Sequence, residues 1–239
     1  MCGRYTLTRQ KDLVEDLQAS LGASAQGEWW KPRFNVAPTQ PAPVVVLREG
    51  GRSIEMMRWG LVPHWAGKGG KPPLMINARV ETLQDKPMFR DALQRRRCLV
   101  PADGFFEWLR EGTGKTATKQ PMYIHRAGKQ VFAFAGLWAK ARTDAGETLS
   151  FTIVTGPAND LVAPIHDRMP IILDPSTYAS WLDPTLDAAA AGALLQVPPV
   201  GDWTAEPVSP RVNSAQNDDP GCIESITAQP PSQGDLFAT

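Results

Sequence analysis

The chain has 239 residues, 42% hydrophobic and 21% charged, with 25 Lys and Arg against 25 Asp and Glu, a composition that fits one globular domain or at most two. No run approaches the ~18 apolar residues of a membrane-spanning helix, and the N-terminus lacks the basic-then-apolar order of a secretory signal. Cys2, Cys98 and Cys222 lie far apart, so no C-x-x-C pair suggests zinc or a disulfide framework; a cytoplasmic setting with no metal and no cofactor is expected.

In chain order, residues 8–21 are predicted helical, because Leu13, Val14, Leu17 and Leu21 recur at spacings of three or four behind the candidate N-cap Thr8. Residues 22–33 read as a loop. A Pro-rich stretch leads into a strand over Val44–Leu47, and a second strand is expected over 54–62. Residues 67–73 form a basic Gly/Pro loop, and 82–94 read as a helix interrupted by Pro87. Short β-like runs recur at 97–100, 104–110, 121–126, 131–138 and 149–155, separated by Gly and polar residues. That rhythm indicates a mostly antiparallel sheet or barrel rather than βαβ units. A short helix at 158–162, a strand at 170–173 and helices at 175–182 and 185–195 complete an α+β domain over residues 1–228. Residues 229–239 are polar and Pro/Gly-containing and are expected to be a disordered tail.

The zero net charge hides an asymmetry. Residues 1–140 hold 22 Lys and Arg against 12 Asp and Glu, whereas 141–239 hold 3 against 13. Either the two parts attract one another, or the first part presents a basic face suited to a polyanion. The eight tryptophans, some near Arg and Lys, allow base stacking on single-stranded nucleic acid, although several must be core.

Cys2 is the first candidate for chemistry. Initiator Met is normally excised before a small residue, which leaves an α-amine and a thiol on one residue, with reference pKa values of about 8 and 8.5. A 1,2-aminothiol condenses with an aldehyde to an imine and closes on it as a five-membered thiazolidine. Arg4 places a cation two residues away, for a phosphate or for a surface ion pair. His166, in Pro164–Pro170, suits proton transfer near pH 7, with Asp167 and Arg168 beside it; His64 and His125 compete, the latter in a strand-like run that faces solvent. Glu107 is flanked by Phe105, Phe106 and Trp108. Simple alternation points it to water; burial instead raises its pKa, as a general acid requires. Asn77 is either a turn residue or an amide that orients a hydroxyl or amine, and Arg79 is a second candidate phosphate ligand.

Seven segments in order, residues 1–5, 33–38, 59–63, 76–82, 102–108, 165–170 and 208–213, together resemble the SOS-response-associated peptidase (SRAP) family, and the resemblance covers nearly the whole chain. It implies a barrel-like α+β fold and covalent capture of abasic sites in single-stranded DNA through a thiazolidine, with Cys2, Asn77, Glu107 and His166 as the catalytic set. It also implies DNA contacts by Arg4, Arg79 and Arg168 and by a loop near Trp65. Lyase and peptidase activities, action as a monomer, and recruitment by replication-fork proteins are further expectations. A Cys–His thiol peptidase and a non-covalent single-strand binding module are the alternatives.

Overall fold

The apolar runs between residues 41 and 157 do form strands, and these strands close on one another. The computed structural model describes residues 2–25, 30–63, 74–112, 118–143, 146–197 and 200–226. The basic loop at 67–73 and the tail at 229–239 lie outside them. In chain order the elements are β1 (Arg4–Leu7), α1 (Leu13–Asp16), β2 (Ser20–Leu21), β3 (Arg33–Val36), β4 (Pro41–Arg48), β5 (Gly51–Trp59) and β6 (Asn77–Arg79). There follow α2 (Pro87–Arg95), β7 (Arg97–Ala102), β8 (Gly104–Glu111), β9 (Thr118–Arg126), β10 (Phe132–Thr143) and β11 (Gly146–Pro157). The last are β12 (Arg168–Pro170), β13 (Ile172–Leu173), α3 (Tyr178–Leu182), α4 (Ala188–Ala193) and β14 (Trp203–Pro207).

Five strands make a closed ring. β5 pairs with β4, β4 with β7, β7 with β10 and β10 with β11, all antiparallel; β11 then returns to β5 in parallel, with Phe151 opposite Trp59. Closure removes the exposed edges that an open sheet must protect. Trp59 lies parallel to Phe151 with centroids 6.3 Å apart, and its indole N–H donates to Ile76 O at 2.9 Å, which satisfies the polar end of a fully buried ring. A second sheet, ordered β14-β9-β8-β1-β3, is antiparallel throughout. The fold is thus mixed α+β, mostly antiparallel and barrel-based.

Several expectations change. The helix predicted over 8–21 shrinks to a 3-10 turn at Gln10–Asp12 and the single turn of α1. Gln18 enters the left-handed region (φ 48°) and stops it, and Leu21 pairs with Ile54 as part of β2. Pro87 does not interrupt a helix but starts one, at the first turn of α2, where its missing N–H costs nothing. No helix forms at 158–162. Asn159 instead takes the Val162 N–H on its side chain at 3.1 Å and the Val162 and Ala163 N–H groups on its carbonyl, the local competition that Asn brings against helix. The strand expected to reach residue 62 ends at Trp59, where Gly60 takes φ 119°. The expected 170–173 strand is two, β12 and β13, separated by Ile171.

Two carboxylates pin the chain ends to this frame. Asp103, fully buried between β7 and β8, accepts from the Thr6 hydroxyl (2.5 Å), from the Thr8 N–H and hydroxyl (2.5 and 2.6 Å) and from the Arg9 N–H (3.2 Å). Asp218 accepts from the N–H groups of Phe34 and Asn35 at 2.6 and 2.9 Å and from the Arg33 guanidinium. The buried Asn35 amide donates to the carbonyls of Val212, Ser214 and Asn217. Asp103→Ala leaves the donors of Thr6, Thr8 and Arg9 without their acceptor. Denaturant titration should show a loss of about 3 kcal/mol, and hydrogen exchange should show the amides of β1 losing protection first.

Candidate active site around Cys2

Cys2 lies two residues before the start of β1, and its side chain is fully buried in the main apolar core. β1 lies between β3 and β8, with Tyr5 opposite Val36 on one side and Phe105 on the other. The Cys2 thiol makes a long 3.6 Å contact to Arg4 O. Its backbone carbonyl is held by Asn77, whose Nδ2 donates at 2.9 Å. Asn77 opens β6, which is fixed by parallel pairing to β11 through Ile153. Its other end, Oδ1, is buried and has no hydrogen-bond partner among the described residues, so an acceptor stands ready beside the Cys2 backbone.

Glu107 is where alternation misleads. Its carboxylate does not face water; the residue is 2% exposed. Phe105 packs into the main core, while Phe106 packs into a second cluster with Tyr123, Val208, Val212 and Cys222. Both faces of β8 are covered there, so no water-facing side exists. Burial raises the Glu107 pKa from 4.5 to about 7, and the nearby Asp167 charge adds to the rise. Burial likewise pushes the Cys2 thiol far above its usual range, with the negative charge of Glu107 reinforcing it. The thiol is therefore held as S–H.

His166 ends a turn closed by its own N–H on Val162 O at 2.9 Å. Its Nδ1 accepts from the Arg168 N–H at 3.0 Å and also stands 2.8 Å from Asp167 Oδ1. The two contacts exclude each other: an unprotonated Nδ1 accepts from Arg168, and a protonated one donates to Asp167. Partial burial lowers the His166 pKa against the opposing pull of Asp167, and which contact the neutral ring makes is set by its tautomer. His125, expected to face solvent, is instead buried and bonded through Nε2 to Glu206 at 2.6 Å. It joins β9 to β14, a strand that local sequence did not indicate.

Arg4, Glu107, Trp108, Ile165, His166 and Asn213 line one open cleft of ≈ 540 Å³. Arg4 donates through Nη1 to Gly3 O at 2.9 Å, while its Nε is buried with no partner among the described residues. Asn77 and Arg79 line a neighbouring cleft of ≈ 310 Å³ together with Lys86 and Phe89. Arg168 is already engaged, bidentate to Glu81 at 2.9 Å and bonded to Thr155 O at 2.8 Å; a phosphate there would share or displace Glu81. Trp65 and His64 lie outside the described residues. Trp108 and Asn213, joined by an indole N–H bond of 2.7 Å, had no assigned role in the sequence. The Asn35 and Asp218 contacts, with the bonds of Val208 to Pro121 and Gln120 on β9, fold residues 209–223 back so that the two meet.

The chain matches the family model described as SOS response associated peptidase (SRAP) over residues 1–215. It is 40% identical over 228 residues to the abasic site processing protein YoqW of Bacillus subtilis, covering 94% of this chain and 100% of that protein. It is 30% identical over 237 residues to the abasic site processing protein YedK of Escherichia coli, covering 95% and 100%. A crystal structure of a protein from Bacteroides thetaiotaomicron superposes with a TM-score of 0.80 at 25% identity, covering 95% of this chain and 100% of that one.

The raised Glu107 pKa makes a thermodynamic prediction. Below pH 4.5 the carboxyl is neutral in both states. Between 4.5 and 7 the unfolded chain releases a proton that the folded chain keeps, so stability falls as pH rises. Glu107→Gln abolishes this loss. The variant should match wild type near pH 4.5 and exceed it by about 3 kcal/mol at pH 8, read by chemical denaturation at both pH values.

Proposed function

We propose that this chain, which belongs to the SOS response associated peptidase (SRAP) family, captures abasic sites in single-stranded DNA by forming a thiazolidine on Cys2 after Met1 is removed. The observation that carries the reading is a buried, protonated thiol beside a carboxyl group whose pKa lies near 7.

An abasic sugar is mostly a closed hemiacetal. Opening it moves a proton from the anomeric hydroxyl to the ring oxygen, and a carboxyl titrating near neutrality is suited to both transfers. Glu107 takes that role, with His166, which lines the same cleft, as a second proton-transfer group. The α-amine of Cys2 then adds to C1′, and water leaves to give an imine. That imine is an electron sink: loss of a 2′ proton expels the 3′ phosphate and cuts the strand, which is the lyase branch. In the protective branch the Cys2 S–H adds across the C=N bond, sulfur to C1′ and hydrogen to nitrogen. C1′ becomes saturated and the sink disappears.

The protonation states favour this order. A thiolate would attack first, but the buried thiol stays protonated, leaving the amine as the first nucleophile. The same fact weighs against a thiol peptidase, which needs a thiolate and an imidazolium; here the thiol is raised and the imidazole lowered. Asn77 anchors the Cys2 carbonyl, so its free oxygen orients the amine or a sugar hydroxyl. Arg4 and Arg79 take phosphates, and the chain acts as a monomer.

Mixing the protein with an oligonucleotide that carries one abasic site, followed by intact mass spectrometry, should give a chain lacking Met1 plus one DNA strand less one water. Cys2→Ala should give no heat-stable adduct; a durable adduct there would refute the thiazolidine. Glu107→Gln should slow adduct formation roughly 10²- to 10⁴-fold, and wild-type rates should change most steeply near pH 7.

A further inference from the structure

The β8–β9 hairpin carries a conflict that the family's expected residues do not explain. Arg110 stands directly opposite Lys119 across the two strands, both exposed. Like charges in directly opposed positions oppose strand pairing, and neither cation has a carboxylate partner among the described residues. The comparable outer stretch of the β10–β11 hairpin is arranged the other way. There Arg142 faces Glu147, and Lys140 bonds Glu147 at 2.7 Å. The repulsion on β8–β9 is thus local, and it marks a place where an anion is the missing partner.

The position of the pair says which anion. Arg110 and Lys119 line the same cleft as Arg4, Glu107 and His166. Arg110 stands three positions beyond Glu107, roughly 10 Å along a strand, which suits a phosphate next to the lesion rather than the lesion sugar. Between them stands Trp108, on the same face as Arg110 by strand alternation and half-buried. Its indole N–H is tied to Asn213 at 2.7 Å, so the ring is held in one orientation. An anchored aromatic ring next to paired cations is the arrangement on which single strands stack their bases and seat their backbone. The Cys2–Gly3 backbone divides this cleft from the one that holds Arg79 and Lys86, because Asn77 of that cleft binds Cys2 O and Arg4 of this one binds Gly3 O.

We propose that Arg110 and Lys119 form a phosphodiester subsite that holds the DNA strand on one side of the lesion, with Trp108 as the stacking platform between that subsite and Cys2. The inference rests on the abasic-site reading and adds a direction to it: the strand leaves the reactive centre along the β8–β9 hairpin, on the side away from Arg79.

The test uses intact single-stranded DNA first, which contains no aldehyde. Fluorescence anisotropy at several salt concentrations gives the slope of log K against log[salt]. Removing two phosphate contacts with Arg110→Gln/Lys119→Gln should reduce that slope by about 1.4, while Arg110→Lys should keep the wild-type slope. The double variant should melt no lower than wild type, since a repulsion is relieved. Adduct formation is then timed at limiting protein on abasic strands extended by four nucleotides on only the 5′ or only the 3′ side. The double variant should slow one of the two by at least fivefold and leave the other within twofold of wild type. An unchanged salt slope, or equal slowing on both strands, overturns the subsite. Failure of the wild-type protein to form any adduct overturns the abasic-site reading instead, so the two failures are separable.

Discussion

The carboxylate of Asp103 decides whether the rest of the site exists. Chain ends fray unless something ties them down, and the proposed chemistry belongs to the second residue. Asp103 takes four hydrogen bonds from residues 6–9, which fixes the far end of β1. With β3 on one flank and β8 on the other, the near end is led into the core. Asn77 then catches the Cys2 carbonyl. Each contact is ordinary, but together they let a terminal residue be fully buried. Burial in turn sets the protonation of both the thiol and its neighbour Glu107. The clamp, the fold of β1 and the acid–base properties of the site are one causal chain.

That chain explains why the two central groups have to be read together. A carboxylate next to a thiol raises the pKa of the thiol, and the desolvation that raises Glu107 protects the thiol from ionising as well. Exposing either group to water would undo both effects. A solvent-exposed Glu107 would titrate in the ordinary carboxylate range and be a poor acid at neutrality. A thiol made anionic would compete with the amine for the aldehyde and lose the proposed sequence in which imine precedes ring closure. The cost is a carboxyl group kept in an unfavourable place, the kind of local inconsistency that functional sites retain.

The sequence was legible where pattern and packing agree. The apolar runs of β4, β5, β7, β10 and β11 are strands because both ends of their patterns fit the barrel, and the family resemblance rests on segments that the fold brings to one place. It was illegible where long-range contacts decide. β6 is three residues, Asn77–Arg79, and exists only because β11 offers an edge. β14 is half polar and is defined by its pairing with β9, His125 on Glu206 included. The helix pattern of residues 8–21 lost to pairing of Leu21 with β5. Glu107 was misjudged by alternation because alternation presumes one wet face: Phe105, on the same face as Glu107, packs into the main core, while residues 208–223 cover Phe106 on the other face from far along the chain.

The charge asymmetry resolves in the same way, since long-range contacts decide which charges are paired. Away from Cys2, acidic residues of the later part neutralise basic residues of the earlier part: Arg33 meets Asp218 and Arg126 meets Asp202. These pairs are mainly structural, and the exposed ones are worth little energetically. Around Cys2 the pairing stops. Arg4, Arg79, Arg110 and Lys119 have no carboxylate partner among the described residues, while Arg168 alone is balanced, by Glu81. A neutral chain thereby keeps a locally positive cleft, and the field at that cleft depends on which pairs form elsewhere as much as on the cations that line it.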